Sequence, residues 1–434
     1  MAATVVDRPG GLSYHGAVSK RGGLILFLAF AALFLLLNAS AYRGYFQDDE
    51  IDNLSWTPYL GPADFLKGAV TPLFQANNFR PVGHYYFHAV EEVAGLSFPP
   101  YVAVLHALHL LNVWLLWLLM RRLGAAPFAA AAACLFFGLH MALFDNVWKP
   151  MYVFDVLCAT FCMLSLWAWT SERWVISFVA FWLAYKSKEL AVMLPAVLLL
   201  YEVWFGERRW KILAPFFLTS LSFGVQGMLG NPNKDNDYTF RFTWAALAKT
   251  AEFYAGRVFL LPYAGFTVPL FALLARNRRT WFGVASMALF LFPVLFLPGR
   301  IFSAYCYLPF AALAIALTGL TPGALAVFLA LWLPMDLREL RIRRRETMAN
   351  AAEVRTWMDG VREFAASKEK VDGFAYSGMP GGFHSWGVEG ALKYLYERND
   401  LVVKPVGQSL PGRVALIGWD PWRKRLDIIV RTTE

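Results

Sequence analysis

Long apolar runs separated by short polar segments dominate this sequence. Runs of about 17 to 25 apolar residues are long enough to cross the hydrocarbon core of a bilayer as helices. The apolar runs occupy residues 23–42, 101–120, 126–144, 151–170, 174–186, 189–205, 212–230, 259–275, 280–297, 301–319 and 321–336, of which the fifth is short for a full span. The pattern predicts a polytopic α-helical membrane protein with about 11 transmembrane helices. The first run is longer than the core of a signal peptide, so we expect it to remain as an anchor.

The composition independently indicates a protein of the lipid bilayer. Of the 434 residues, 58% are hydrophobic and 16% are charged, whereas a soluble domain carries about 25% charged residues. The net charge of +9 does not indicate a nucleic-acid partner, because membrane topology and anionic lipids account for basic residues at membrane faces. We therefore expect the lipid bilayer as a partner and no nucleic acid.

Basic residues predict the orientation of the chain. They recur on alternate loops, as is typical of cytoplasmic ends: Lys20-Arg21, Arg121-Arg122, Arg173, Arg208 to Lys211 and Arg276 to Arg279. Residues 1–22 are then a cytoplasmic tail, residues 23–336 are the transmembrane domain, and the first loop, 43–100, faces outward. The basic run 338–345 opposes this orientation, but long soluble tails cross membranes largely regardless of their charge.

The tail, residues 337–434, changes in character. Residues 346–366 read as an amphipathic helix, and a second helix is expected near 386–398. Three β-rich runs follow, at 401–406, 413–417 and 426–430. The tail is thus predicted to be a small soluble α/β domain on the outer face. His384 and Trp386 could touch an acceptor there, although packing is the favoured role.

Adjacent carboxylates just beyond the first apolar run are the leading candidates for chemistry. Asp48 and Asp49 stand in the stretch Tyr45-Phe46-Gln47-Asp48-Asp49-Glu50. An acidic cluster at a membrane surface repels anionic headgroups and adds nothing to a core, so it suggests a site. The alternative is a solvated helix entry with capping acids. We favour Asp49 for catalysis, because Asp48 could cap a helix that begins at Glu50.

Cations from distant segments are candidates for binding a phosphate. Arg80 lies in a Phe-Arg-Pro turn that would hold its guanidinium rigidly, or it could pair with Glu91 or Glu92. Lys186, Lys188 and Glu189 interrupt two apolar runs, where ionisable groups are costly unless they are paired or used. Lys188 could pair with Glu189, leaving Lys186 for the phosphate.

Arg257 and Arg300 complete the cationic set. Arg257 ends the stretch 244–258, which looks amphipathic and interfacial. Arg300 follows Leu297-Pro298-Gly299 and could grip a phosphate or simply anchor the chain at the interface.

Other polar residues have plausible structural roles. Asp145 with Lys149 could be a local ion pair, and Asp155 could meet a partner on another helix. His84 and His88 lie four residues apart and could bind an acceptor, sugar hydroxyls or a metal, although structural roles at an interface are favoured. The four cysteines lie in apolar runs without metal-ligand or disulfide spacing.

In their order and spacing, three of these motifs resemble the C-type membrane glycosyltransferases. They are the acidic first loop, the Asn78-Phe79-Arg80-Pro81-Val82-Gly83-His84 element, and Lys186-Ser187-Lys188-Glu189. Tyr305-Cys306-Tyr307-Leu308-Pro309 adds to the likeness. The resemblance covers roughly residues 23–320 and is strongest to the protein O-mannosyltransferase and tetratricopeptide-associated branch. The tail is too short for a tetratricopeptide array.

The resemblance implies sugar transfer from a polyprenyl-phosphate donor to a glycan, lipid or protein acceptor. The membrane would be the cell inner membrane, and the site would face the extracytoplasmic side. Asp49 or Asp48 would be the base, and Arg80, His84, Lys186, Lys188, Glu189, Arg257 and Arg300 would bind lipid phosphate or sugar. No cofactor or metal site is assigned, although a divalent cation is possible. The alternatives are a lipid or sugar transporter, or a non-catalytic assembly protein of the same fold.

Overall fold

The computed structural model describes residues 20–73, 79–230, 235–367 and 369–433. Most of the predicted cytoplasmic tail, Asn78 of the arginine motif and the stretch 231–234 lie outside these residues. The helices are α1 Lys20–Leu37, α2 Asp48–Trp56, α3 Pro62–Val70, α4 Pro81–Ala94, α5 Phe98–Arg122, α6 Pro127–Leu139, α7 Phe144–Trp148, α8 Val153–Thr170, α9 Trp174–Ser187, α10 Leu194–Trp204, α11 Ala214–Gly230, α12 Trp244–Val258, α13 Val268–Ala275, α14 Arg278–Leu291, α15 Tyr307–Leu317, α16 Pro322–Ala366 and α17 Ser385–Leu395.

Four helical stretches in the described chain are long and apolar enough to cross a membrane. They are Phe98–Arg122, Pro127–Trp148, Pro150–Thr170 and Arg278–Phe296. Shorter apolar helices accompany them, at Gly22–Leu37, Trp174–Ser187, Ala264–Leu273 and Ser303–Leu317. The described chain is thus a largely helical, multi-span membrane fold, and the count of 11 spans stays a prediction. The amphipathic helix expected at 244–258 is present as α12.

Helix α16 runs through the predicted domain boundary at residue 337, and that boundary stays a prediction. The helix runs without interruption for 45 residues and contains Pro334, so the last apolar run and the amphipathic helix of the tail are one element. In the basic run within it, Arg343 pairs with Glu339 at 2.8 Å and with Asp145 at 3.5 Å. At 1.5 Å per residue this helix spans ~67 Å, and it connects the bundle directly to the C-terminal segment.

A four-stranded sheet follows α16, with strand order β2-β1-β3-β4. Its strands are β1 Gly373–Ser377, β2 Val402–Pro405, β3 Gly412–Asp420 and β4 Arg425–Thr433. β1 runs parallel to β2 and β3, whereas β3 and β4 are antiparallel. The sequence does not predict β1, because the glycines at both of its ends favour a turn. Phe374 on β1 is fully buried, so this short strand contributes to the core of the segment.

The C-terminal segment packs on the first loop through α17 and α2. A Cβ atom at Gly387 would lie 2.3 Å from Asp48 Oδ1, and one at Gly390 would lie 2.9 Å from the Asp52 Cα. Only glycine therefore permits this close approach of the two helices. Tyr394 on α17 also donates to Glu91 Oε1 at 2.9 Å. The fold thus brings the tail against the acidic cluster.

Candidate active site

The acidic cluster forms the first turn of α2, which begins at Asp48. Gln47 is the N-cap residue, and its backbone N–H donates to Glu50 Oε2 at 2.6 Å. The expectation that Asp48 caps a helix beginning at Glu50 is therefore wrong. Negative side chains are stabilised in this position by the positive end of the helix dipole.

Asp48 binds the C-terminal segment with both carboxylate oxygens. The His384 backbone N–H donates to Oδ1 at 2.5 Å, and His384 Nδ1 lies 2.6 Å from Oδ2. Burial raises the pKa of Asp48, and the hydrogen bonds from His384 partly offset that rise. Both carboxylate oxygens of Asp48 thus hold the tail against the first loop.

Asp49 has one carboxylate oxygen in use and one available. Trp386 Nε1 donates to Oδ1 at 2.8 Å, while no described residue makes a hydrogen bond to Oδ2. Asp49 also lies within electrostatic reach of Arg300 and of Tyr152 at the start of α8. Of the two adjacent acids, only Asp49 therefore presents an unused acceptor atom.

Two further acids of α2 sit in environments that favour the neutral carboxyl. Glu50 is 1% exposed and also accepts from the Met151 N–H at 3.2 Å. Burial raises the pKa of Glu50 to about 7. Burial, and then the charge of Asp49, raises the pKa of Asp52 to about 6. Glu50 and Asp52 therefore titrate closer to neutral pH than ordinary carboxyl groups do.

Arg80 and Glu189 form a two-pronged ion pair between the first loop and the segment after α9. Arg80 Nε lies 2.9 Å from Oε1, and its Nη2 lies 3.0 Å from Oε2. The pairing of Arg80 with Glu91 or Glu92 is therefore wrong. Parallel charge-assisted bonds of this kind fix orientation as well as distance, so the pair braces two distant segments.

His84 is buried on α4 and supports Arg80. Its Nδ1 accepts from the Arg80 backbone N–H at 2.9 Å, and burial lowers the pKa of His84 to about 3. His88 Nδ1 lies 3.2 Å from the Thr57 carbonyl. Both histidines thus have structural contacts, and a binding role for His84 stays a prediction. The described part of the chain holds no group of three or more His, Cys, Asp or Glu side chains suited to a metal.

Lys188 pairs with Asp155 at 2.6 Å and lies 4.7 Å from the ring centre of Tyr305. The hypothesis of a Lys188–Glu189 pair is therefore wrong, whereas the interhelical partner expected for Asp155 is confirmed. The local pair Asp145–Lys149 is also confirmed, at 3.1 Å.

Lys186 lies apart from this cluster. Its ammonium donates to the Thr71 carbonyl at 2.6 Å and contacts the rings of Trp182 and Phe223. No contact between Lys186 and the acids of α2 supports the predicted role of Lys186 in phosphate binding, which stays a prediction.

Arg300 and Arg257 have no carboxylate partner among the residues that the structure describes. The Arg300 guanidinium lies between the rings of Tyr238 and Phe302, at 4.5 and 4.7 Å. Arg257 lies 4.3 Å from the ring centre of Phe253. The Nε atom of each is buried without a hydrogen-bond partner in the described chain. Buried donors are normally satisfied by a protein group, water or an ion, so these two arginines are candidates for binding an anion.

Electrostatics distinguish these two arginines. Burial lowers the pKa of Arg257, and the charge of Arg343 lowers it further. Burial by itself would lower the pKa of Arg300. The combined effect of Tyr305, Tyr238 and Asp49 is larger than that of burial, so the pKa of Arg300 is raised. α12 packs on the segment 292–306 that carries Arg300, so both arginines belong to one region of the fold.

The sequence matches no protein-family model and no curated relative. Solved structures do share its fold. The crystal structure of ArnT from Cupriavidus metallidurans bound to undecaprenyl phosphate has a TM-score of 0.53 at 13% identity, over 92% of this chain and 94% of that one. The apo structure of the same protein gives 0.54 at 13% identity, over 92% and 93%. The chain therefore shares the overall fold of ArnT, and at this identity the likeness concerns the fold alone.

His384 and Trp386, for which the sequence favoured a packing role, contact the two adjacent acids. The Gly381-Gly382 turn before them and Gly387 after them are the signal that was available. Gly382 adopts a left-handed backbone conformation with φ of 86°, and Gly387 permits close packing on Asp48. Small residues that flank a pair of ring-bearing side chains indicate a loop held tightly against a neighbour.

Proposed function

We propose that this protein is a membrane glycosyltransferase that moves a sugar from a polyprenyl phosphate to an acceptor hydroxyl at the extracytoplasmic face of the inner membrane. The observation that carries the proposal is Asp49, an acid with one unpaired carboxylate oxygen near Arg300, which has no carboxylate partner in the described chain. A base and an unpaired cation are the two groups that such a transfer needs. The shared fold with ArnT, whose solved complex contains undecaprenyl phosphate, supports this choice of donor.

Asp49 is the base in this proposal. Its free Oδ2 accepts the proton of the acceptor hydroxyl as the oxygen attacks the anomeric carbon of the donor sugar. The bond between that carbon and the phosphate oxygen breaks, and its electron pair leaves with the polyprenyl phosphate. Asp48 is unsuited to this role, because His384 occupies both of its oxygens.

Arg300 and Arg257 are the proposed phosphate ligands. An anion between them would satisfy their buried Nε–H groups, and it would relieve the unfavourable charge of Arg257 beside Arg343. Arg80 and Lys188 are already neutralised by Glu189 and Asp155, so we infer that they brace the site. Direct contacts of Arg80, His84, Lys186, Lys188 and Glu189 with donor remain sequence-based predictions.

The likeness to the protein O-mannosyltransferase branch rests on the motifs alone, since the solved structures of similar fold are of ArnT. The sugar and the acceptor class, whether glycan, lipid or protein, are therefore left open within the proposal.

The test is the release of polyprenyl phosphate from sugar-loaded donors by the purified protein in lipid nanodiscs, with membrane extract as the source of acceptor. We expect release by the wild type and none by Asp49→Asn. A transporter would move donor or sugar across proteoliposomes without releasing polyprenyl phosphate. A scaffold protein would do neither, and either result would overturn the proposal.

A further inference from the structure

His384 and Trp386 form an exposed pair of parallel rings beside the acids of α2. Their ring centres lie 4.6 Å apart at an interplanar angle of 4°. The His384 side chain is 63% exposed and Trp386 is 44% exposed. Ligand sites typically combine aromatic surface with a few placed polar groups, and here both lie side by side.

The polar ends of both rings are already fixed. Trp386 Nε1 donates to Asp49, and His384 Nδ1 meets Asp48. The pair is therefore held rigidly. Because the rings are stacked on each other, only their outward faces are available to a ligand. A preorganised surface binds a ligand at a lower entropic cost than a mobile one.

We propose that this ring pair is a platform for a pyranose ring of the acceptor, which lies on it with a hydroxyl directed to Asp49 Oδ2. A pyranose has an apolar face of C–H groups, which suits an aromatic ring, and a rim of hydroxyls, which suits carboxylate acceptors. The structure offers both in one place, since the free oxygen belongs to the residue that Trp386 holds. This inference rests on the proposed function and names its acceptor class as a carbohydrate.

The arrangement also assigns a role to the C-terminal segment. Gly387 and Gly390 allow α17 to approach α2 closely, and Arg355 on α16 donates to the Gly44 carbonyl at 3.0 Å. The segment would thus supply the wall of the site on the acceptor side, while the membrane bundle supplies the arginines for the donor. Donor and acceptor would then meet at Asp49 from opposite sides.

Saturation-transfer difference NMR on the full-length protein in nanodiscs tests the platform directly. The probes are methyl β-D-glucopyranoside, methyl β-D-galactopyranoside and methyl α-D-mannopyranoside, with glycerol as an open-chain polyol. We expect transfer to ring protons of at least one pyranoside and none to glycerol. Trp386→Ala should weaken binding roughly tenfold, which corresponds to ~1.4 kcal/mol. Trp386→Phe keeps a ring and should retain most of the binding.

Trp422→Ala is the matched control, because Trp422 lies in the same segment and is 94% exposed but, unlike Trp386, makes no hydrogen bond to the acids of α2 in the described chain. It should bind as the wild type does. Absence of transfer to all three pyranosides, or equal signals in wild type and Trp386→Ala, would overturn the platform. Binding that depends on Trp386 without any release of polyprenyl phosphate would instead support the platform and reject the proposed transfer.

Discussion

Asp48 and His384 are joined by two contacts across 336 residues of sequence, and they unite the first loop with the tail. Asp49, the next residue, contacts Trp386 two residues further along. The adjacent acids therefore have different tasks. Both carboxylate oxygens of Asp48 contact the tail, whereas one carboxylate oxygen of Asp49 is left to act as the proposed base.

Substitution of the two acids should separate these tasks. Asp49→Asn should lower the rate of transfer at least ~10²-fold, the usual contribution of a positioned base, with little change in unfolding temperature. Asp48→Asn should cost less activity but destabilise the contact between α2 and α17, since asparagine has one acceptor oxygen for the two His384 groups, the backbone N–H and Nδ1, that contact the carboxylate. The measurements are turnover of polyprenyl-phosphate sugar and thermal unfolding of both variants.

Asp64→Asn provides the control for these two variants. Asp64 is also an acid in the first turn of a helix of the same loop, and it accepts from the Gly61 N–H at 2.9 Å. Its replacement should leave transfer at the wild-type rate. Wild-type turnover by Asp49→Asn would remove Asp49 from the mechanism.

Neutralising the unpaired arginines should weaken binding of the donor. Arg300→Gln and Arg257→Gln should each lower the affinity for polyprenyl phosphate at least about tenfold, because each removes a charge-assisted contact of ~1.5–3 kcal/mol. Equilibrium binding of labelled polyprenyl phosphate in nanodiscs measures this. Lys211→Gln removes one positive charge from an exposed position and should bind as the wild type does. Equal affinity in all three variants would place the phosphate elsewhere.

Periodicity and composition predict much of this fold, because apolar runs set the positions of helices whatever their packing. The limits of α5, α8 and α12 agree with the sequence to within three residues. The stretch 337–345, which separates the last apolar run from the predicted amphipathic helix, is helical and joins the two into α16. Arg343 stays helical through ion pairs with Asp145 and Glu339, one of which comes from a distant segment.

The site was harder to predict, because its pairs join segments far apart in sequence. Local spacing suggested Lys188 with Glu189, but Arg80 takes Glu189 and Lys188 takes Asp155. Adjacent residues at the end of a helix point in different directions, so sequence neighbours are poor ion-pair candidates. The acids were found because a polar cluster next to an apolar run is conspicuous. Their contacts with His384 and Trp386 depend on tertiary packing.

The brace between Arg80 and Glu189 should contribute to stability in a way that a double-mutant cycle detects. Arg80→Met and Glu189→Leu should each destabilise the fold by ~1–3 kcal/mol, since each leaves a partly buried charge unpaired. The double variant should recover part of that loss. Thermal or denaturant unfolding in matched detergent measures the cycle, and strictly additive losses would show that the two side chains do not interact in solution.

The orientation of the chain is testable by cysteine labelling, because all four native cysteines are buried. Trp422→Cys in the tail should react with a membrane-impermeant maleimide in intact spheroplasts. Lys211→Cys, on a loop predicted to be cytoplasmic, should react only after permeabilisation. Protection of position 422 until permeabilisation would mean that the site faces the cytoplasm.

Glu50 should make the stability of the folded protein sensitive to pH. Its pKa is about 7 in the folded protein against an ordinary value of 4.5, so the folded state holds the proton more tightly than the unfolded chain does. The linked stability is therefore fully present below about pH 4.5 and is lost as the pH rises through about 7. Asp52, with a pKa of about 6, acts in the same direction. The unfolding temperature of the wild type should accordingly fall between about pH 5 and about pH 7.5.

Glu50→Gln isolates the contribution of this carboxyl. Glutamine can still accept one backbone hydrogen bond through its carbonyl oxygen, but it cannot replace both of those that Glu50 accepts from Gln47 and Met151. The variant should therefore be less stable than the wild type at low pH, yet its unfolding temperature should fall less between about pH 5 and about pH 7.5, because its side chain does not ionise. The diagnostic quantity is the slope with pH. An equal fall in both proteins would assign the pH dependence to groups other than Glu50.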